Sequence, residues 1–231
     1  IIGSDLGVPT CMTTLGGFGK KGSRFIISTL IFISMIGWFA VQNDVCGSAF
    51  SNLMTEFFGL SVPVWLSSAV WGAIMLVTAV YGINALDKLN KIAVPALFVI
   101  TIAGTIMAVN KYGVTGLGVD PPEITMSFVD GIVLTVSFMA AGCLAASDIT
   151  RYQATRKDTI LSSSIGVAPA GILMIVLGAV MTKVAQQYDI TIVFCEIGIP
   201  VLGMLVLIAA TWTTNTTNAY SCLLYTSDAA D

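Results

Sequence analysis

Six stretches of nearly continuous apolar residues alternate along the chain with short polar connections. A membrane-crossing helix needs about 20 predominantly apolar residues. The stretches that satisfy this run from Phe25 to Cys46, Val64 to Ile83, Ile92 to Val109, Met126 to Ala146, Ile160 to Lys183 and Ile197 to Tyr220. The opening "IIG" reads as the end of a seventh. Between them lie "GGFGKKGSR", "LDKLNK", "NKYGVTGLGVDPPEIT", "SDITRYQATRKD" and "AQQYDITIVFCE", several punctuated by the Gly and Pro that interrupt helices. The pattern predicts turns rather than separate domains, with no low-complexity linker and no short-period repeat. The expected class is an all-α integral membrane protein of about six transmembrane helices.

Composition removes the soluble alternative. Of 231 residues, 56% are hydrophobic and 10% are charged. A soluble domain carries about 25% charged residues, so this chain could not cover a water-facing surface. Histidine is absent, and the five cysteines (Cys11, Cys46, Cys143, Cys195, Cys222) stand singly. That pattern suggests neither a zinc site nor a disulfide framework, and the cysteines read as small apolar core residues. Without histidine or paired carboxylates in the helices, no acid, base, nucleophile or metal cluster for an enzyme is expected, and no cofactor.

Charge then sets orientation, because short loops rich in Lys and Arg stay in the cytoplasm. Lys20, Lys21 and Arg24 precede the first full helix, Lys88 and Lys91 follow the second, and Arg151, Arg156 and Lys157 follow the fourth. These connections alternate, so they share one side. The opposite connections hold only Lys111 and Lys183 but carry Glu56, Asp120, Glu123, Asp189 and Glu196. The first complete helix is therefore expected to run from inside to outside. The chain opens on Ile1, without a basic n-region or small-residue cleavage site, and reads as an internal fragment.

Polar groups in hydrocarbon are unfavourable unless satisfied, so they mark helix contacts or a solute pathway. In "GWFAVQND", Trp38 and Gln42 are four apart and share a helical face. The pair offers an aromatic plane beside an amide that donates and accepts, which suits a flat hydrogen-bonding heterocycle. It equally fits an interfacial Trp with a Gln bonding a neighbouring helix. Asp44 falls roughly opposite that face and reads as structural. In "SFMAAGCLAAS", Ser137 to Ser147, the small residues permit close packing or a local helix break facing a cavity. In "ATWTTNTTNAY", Thr213, Thr214, Asn215, Thr216, Thr217 and Asn218 are consecutive polar positions. Back-bonding to a carbonyl one turn earlier would satisfy one or two threonines. The rest are expected to line water, an ion or a partner helix, and their oxygens suit a hard cation such as sodium. In "SDITRY", Asp148 and Arg151 are three apart, the spacing of a cytoplasmic helix-end clamp with a structural or gating role.

Taken together and in this order, "FGKKGSR" leading into "GWFAVQ", "INALDKLNKIAVPA", "SDITRY" and "IPVLGMLVLIAATWTTNTTNAYS" resemble the nucleobase:cation symporter-1 family, and within it the bacterial branch that carries cytosine. The resemblance covers about Ile1 to Ser221. It implies a partial LeuT-like inverted-repeat transporter fold, in which ten of twelve helices form two repeats of five and the six helices here are numbers three to eight. It further implies import of a nucleobase by cation symport across a bacterial inner membrane by a multi-pass monomer, with no nucleic-acid partner. Substrate-binding positions carried over are Trp38 and Gln42 on helix three, Phe138 with Ala140 to Gly142 on helix six, and Asn215 on helix eight. Ala210, Thr213 and Thr214 match the helix-eight half of a sodium site whose other half would come from helix one. A helix-six serine of some cytosine-carrying relatives is Ala140 here. A purine, hydantoin, allantoin or thiamine carrier, coupled to H+ rather than Na+, remains open within the family.

The last ten residues, "CLLYTSDAAD", leave the family pattern. A transposon mosaic end followed by its primer, translated in frame, yields Cys222 to Asp231 without mismatch, so this tail is read as translated sequencing adapter. The permease domain is expected to end at Ser221.

Overall fold

The computed structural model describes residues 1–118 and 126–225, apart from the side chains of Ala141 and Thr191; no strand occurs among the described residues. Asp120 and Glu123, two of the acids used to read orientation, lie outside the described residues, as do the last six of the tail. The helices are α1 (Ile2–Leu6), α2 (Thr10–Thr13), α3 (Leu15–Lys21), α4 (Ser28–Phe58), α5 (Val64–Val80), α6 (Ile83–Tyr112), α7 (Phe128–Leu144), α8 (Ala146–Thr150), α9 (Arg156–Gly166), α10 (Ala168–Ala185), α11 (Ile190–Glu196) and α12 (Pro200–Leu223). A π-helical turn (Gly22–Ile27) leads from α3 into α4. Among the described residues, three stretches are long and apolar enough to cross a membrane, Leu15–Phe58, Ile83–Tyr112 and Arg156–Ala185. The apolar helices α5 and α7 have 17 residues each, and α12 has 24, its second half being the polar run.

Several polar connections prove helical. "LDKLNK" belongs to α6, which begins directly after Gly82, and Lys91 Nζ donates to Asp87 Oδ2 at 2.6 Å one turn away. A carboxylate four residues before a lysine supports helix where lipid no longer does. The connection after α10 contains α11, and "SDITRYQATRKD" contains α8 and the start of α9. There Thr155 caps α9, its hydroxyl accepting from the Asp158 backbone N–H at 3.1 Å. Hydropathy locates the end of the apolar zone. Helix continues past it wherever pairs and caps satisfy the backbone.

The chain divides into two compact units. One contains Trp38–Val119 and Gly171–Tyr220, and has two apolar cores. In the first, Cys46, Ala49 and Leu53 of α4 meet Met75 of α5 and Met204 and Ile208 of α12. Trp71 lies edge-on to Phe50 at 5.7 Å and to Trp212 at 5.6 Å, an arrangement favoured by the ring quadrupoles. In the second, Phe194 of α11 fills the space left by two glycines. A Cβ on Gly104 would fall 2.7 Å from its Cε1, and one on Gly203 would fall 2.3 Å from its Cβ.

The other unit contains Ile1–Gly37, Asp120–Ala170 and the chain's last residues. Its packed part is the knot of α1, α2 and α8, where Gly3 lies so close to Ser147 and Thr150 that a Cβ would come within 2.8 Å of Thr150 Oγ1. By contrast α7 leaves most of its large apolar side chains exposed: Phe128 is 83% exposed, Val136 64% and Phe138 52%. In lipid such exposure carries no penalty, since acyl chains are as apolar as leucine.

Candidate functional site

The polar run of α12 is the most concentrated chemistry in the chain, and its geometry begins with the helix itself. A threonine hydroxyl within a helix reaches the carbonyl one turn back. Every threonine of the run does this: Thr213 and Thr214 both donate to the Ala210 carbonyl, at 2.8 and 3.0 Å, Thr216 to Trp212 at 2.8 Å and Thr217 to Thr213 at 3.1 Å. The expectation that back-bonding would account for only one or two is corrected; the helix alone satisfies all four donors. What sets Thr213 and Thr214 apart is that they share one acceptor. The Ala210 carbonyl and two hydroxyl oxygens thus form a three-oxygen cluster on one turn, in which each hydroxyl, having donated its proton, still has lone pairs to offer a hard cation. Thr213 is buried and Thr214 exposed.

Asn215 behaves differently. It is fully buried, and its Nδ2 donates to the Phe39 carbonyl of α4 at 2.9 Å and contacts Met75 Sδ of α5 at 3.4 Å. Its Oδ1 accepts from Asn218 Nδ2 at 3.2 Å. The amide therefore joins α12 to α4 and α5, with both ends engaged. Two turns of neighbouring helices are brought together here, because Phe39 adjoins Trp38, and Trp38 and Gln42 stand one turn apart on α4, both half-buried. Its Nδ2 is committed to Phe39 and Met75, while Oδ1, which accepts one bond from Asn218, keeps a second lone pair.

Phe138, Ala140 and Gly142 belong to α7 in the other unit and are exposed. The helix runs unbroken through Ala140 to Gly142; its interruption comes at Ala145, with φ −86° and ψ 3°, between α7 and α8. Asp148 follows on α8, completely buried, and its carboxylate accepts from the Thr10 backbone N–H at 2.9 Å and from the Tyr225 hydroxyl at 2.7 Å. Burial pushes the Asp148 carboxyl up, against the lowering by the Thr10 N–H, the Tyr225 hydroxyl and the Arg151 charge. Arg151 donates from Nη2 to the Tyr152 hydroxyl at 2.7 Å and stacks over that ring at 4.8 Å. Asp148 thus fastens α8 to the start of α2, a partner 138 residues away that the three-residue spacing to Arg151 did not indicate.

Other residues around the α12 run escaped the sequence reading. Trp212 Nε1 donates to Thr78 Oγ1 of α5 at 3.2 Å, Met75 backs Asn215, and Gly72 leaves room for the Asn43 amide. The available signal was faint: α5 carries Ser67, Ser68, Gly72 and Thr78 in an otherwise apolar segment, the small and hydroxyl residues through which membrane helices approach. Among the described residues no three His, Cys, Asp or Glu side chains gather as metal ligands.

Comparison with known proteins places this geometry beside named relatives. A family profile described as permease for cytosine/purines, uracil, thiamine, allantoin matches residues 1–230. The cytosine permease of Escherichia coli strain K12 is 31% identical over 222 residues, covering 95% of this chain and 51% of the relative; that of Escherichia coli O157:H7 gives the same values. The hydantoin permease of Microbacterium maritypicum is 25% identical over 222 residues, covering 86% of this chain and 44% of the relative. The chain thus spans about half the length of the curated relatives it matches. No solved structure matches it.

Proposed function

We propose, for a chain that belongs to the family of permeases for cytosine/purines, uracil, thiamine and allantoin, that the protein is a secondary active transporter importing a nucleobase, cytosine, by sodium symport. The observation that carries this reading is the family match over residues 1–230 together with 31% identity to proteins named cytosine permease. The proposed frame is LeuT-like, with the six apolar stretches as helices three to eight, in the inner membrane of a bacterium. No enzymatic step is required; homologues named permeases point to movement of an unaltered solute.

In the proposed cycle, sodium enters as cargo beside the base. Ala210 O, Thr213 Oγ1 and Thr214 Oγ1 would supply three of its oxygens. The base would stack on Trp38 and hydrogen-bond Gln42; Phe138, Ala140 and Gly142 are carried over from the family resemblance as further substrate positions. Asn215 would read the polar edge, exchanging its bond to Phe39 for one to the base. Coupling requires only that ion and base favour the same conformer, by about 1–3 kcal/mol. Asp148 and Arg151 would hold the cytoplasmic end, Asp148 through Thr10.

The test is uptake of labelled cytosine by the full-length protein in sodium medium and in choline medium. Saturable uptake that collapses in choline is expected; undiminished uptake in choline would leave proton coupling as the reading. A second substrate reading, hydantoin, is favoured by the hydantoin permease match. Strong hydantoin uptake without cytosine uptake would select it. The assignment of Cys222 to Asp231 to adapter is tested genomically: a long-read assembly encoding those ten residues before an ordinary stop would overturn it.

A further inference from the structure

We infer that the hairpin formed by α3 and the π-helical turn is a docking surface for the headgroup of an anionic phospholipid of the cytoplasmic leaflet. The inference rests on the membrane reading and on the cytoplasmic placement of this segment, and is independent of the substrate.

Four observations carry it. First, between Asp5 and Asp44 the sequence contains no acidic residue but holds Lys20, Lys21 and Arg24. Two other basic positions on the same expected side have an acidic partner nearby: Arg156 pairs with Asp5 at 2.6 Å and Lys91 with Asp87 at 2.6 Å. Second, Lys20 and Lys21 are exposed, and α3 buries no residue at all. Third, the cations sit between exposed apolar anchors. Phe18 is 57% exposed, Phe25 65% and Ile26 57%, and the Arg24 guanidinium lies 5.9 Å from the centre of the Phe25 ring. Aromatic and aliphatic groups flanking lysines are the composition of a segment lying at the headgroup boundary. Fourth, the hairpin is built rather than loose. Ser23 is 1% exposed, hydrogen-bonded with Thr14 Oγ1 at 2.8 Å and donating to the Cys11 carbonyl. Gly19, at φ 66° and ψ 172°, turns the chain between Phe18 and Lys20 in a conformation other residues rarely adopt.

An anionic leaflet attracts juxtamembrane lysines one by one, while a zwitterionic one does not. The hairpin therefore discriminates by headgroup charge, and the flanking rings and Ile26 place those charges at the depth of the phosphate.

The experiment uses the full chain in an uncharged detergent, equilibrated with phosphatidylglycerol or with phosphatidylcholine of the same acyl chains; lipid retained per chain is read by native mass spectrometry. Preferential retention of phosphatidylglycerol is expected, with its apparent affinity falling about fivefold for each lysine lost in Lys20→Gln/Lys21→Gln. Lys20→Arg/Lys21→Arg should retain it, and so should Lys88→Gln/Lys91→Gln, which removes the same charge elsewhere. Equal retention of both lipids, unchanged retention in the Lys20→Gln/Lys21→Gln protein, or equal loss in the arginine pair would overturn the inference. Displacement by inorganic phosphate would also overturn it, pointing to a soluble anion instead. A failure of cytosine uptake would leave all these outcomes as they are.

Discussion

Two helices carry most of the residues expected to touch the solute, and they have opposite surroundings. α12 holds consecutive polar side chains, yet its threonines donate to its own backbone and Asn215 is engaged by Phe39, Met75 and Asn218. α7 reads as nearly apolar, yet Phe138, Ala140 and Gly142 are exposed, and a Cβ on Gly142 would have nothing within 4 Å. Polarity in a membrane helix is thus first a demand for internal bonds. A free polar group for a ligand is whatever remains once those bonds are made.

The contrast is broken most severely at Gly203 of α12. An alanine there puts a methyl group into the Phe194 side chain, so Gly203→Ala should destabilise the chain by about 3 kcal/mol, read as a lowered midpoint of thermal unfolding in detergent. An unchanged midpoint would mean that Phe194 does not wedge between α6 and α12.

Next comes Asn215→Ala, which removes the buried amide that ties α12 to the Phe39 carbonyl of α4 and is expected to cost about 2 kcal/mol of stability. If uptake by the full-length protein vanishes while stability is unaltered, Asn215 is a ligand alone and not a helix tie.

At the shared carbonyl, Thr213→Ala with Thr214→Ala should raise the sodium concentration for half-maximal uptake about tenfold, near 1.4 kcal/mol. Stability should shift by less, because removing a hydroxyl that bonds its own helix leaves only the Ala210 carbonyl to rehydrate. Thr213→Ser with Thr214→Ser keeps both oxygens and should restore sodium dependence.

A smaller effect separates the Asp148 knot from both helices. A carboxyl whose folded value lies above its unfolded 3.8 binds its proton more tightly when folded. Its contribution is therefore greatest below 3.8 and declines as pH rises through the folded value. Melting scans from about pH 4 to pH 7 should show that decline, and Asp148→Asn should flatten it. An identical slope in the variant would place the titrating group elsewhere.

The smallest change belongs to α7. Gly142→Ala meets open space and adds helix propensity, so stability should rise by about 0.5–1 kcal/mol. A loss of cytosine uptake with that gain would support a role for this backbone in the substrate wall.

Much of the helical layout was legible because apolar stretches of membrane length leave the backbone one way to satisfy itself. Their ends were less so. α6 starts at Ile83 rather than Ile92 and α4 continues to Phe58 rather than Cys46, since local pairs and caps extend helices beyond the apolar zone. At the candidate site, the sequence placed Trp38 and Gln42 on one face and Ala210, Thr213 and Thr214 on one turn, because a helix fixes neighbours three and four apart.

Tertiary structure decided which of those groups already had partners. The amide of Asn215 found a carbonyl 176 residues away on α4, and the carboxylate of Asp148 found the Thr10 N–H across 138 residues. No local pattern specifies such pairs, because they arise when separate helices bring one donor and one acceptor within 3 Å and exclude water from both. Composition and periodicity determined that this chain belongs in a membrane and where its helices run. Packing alone determined which polar groups hold those helices together.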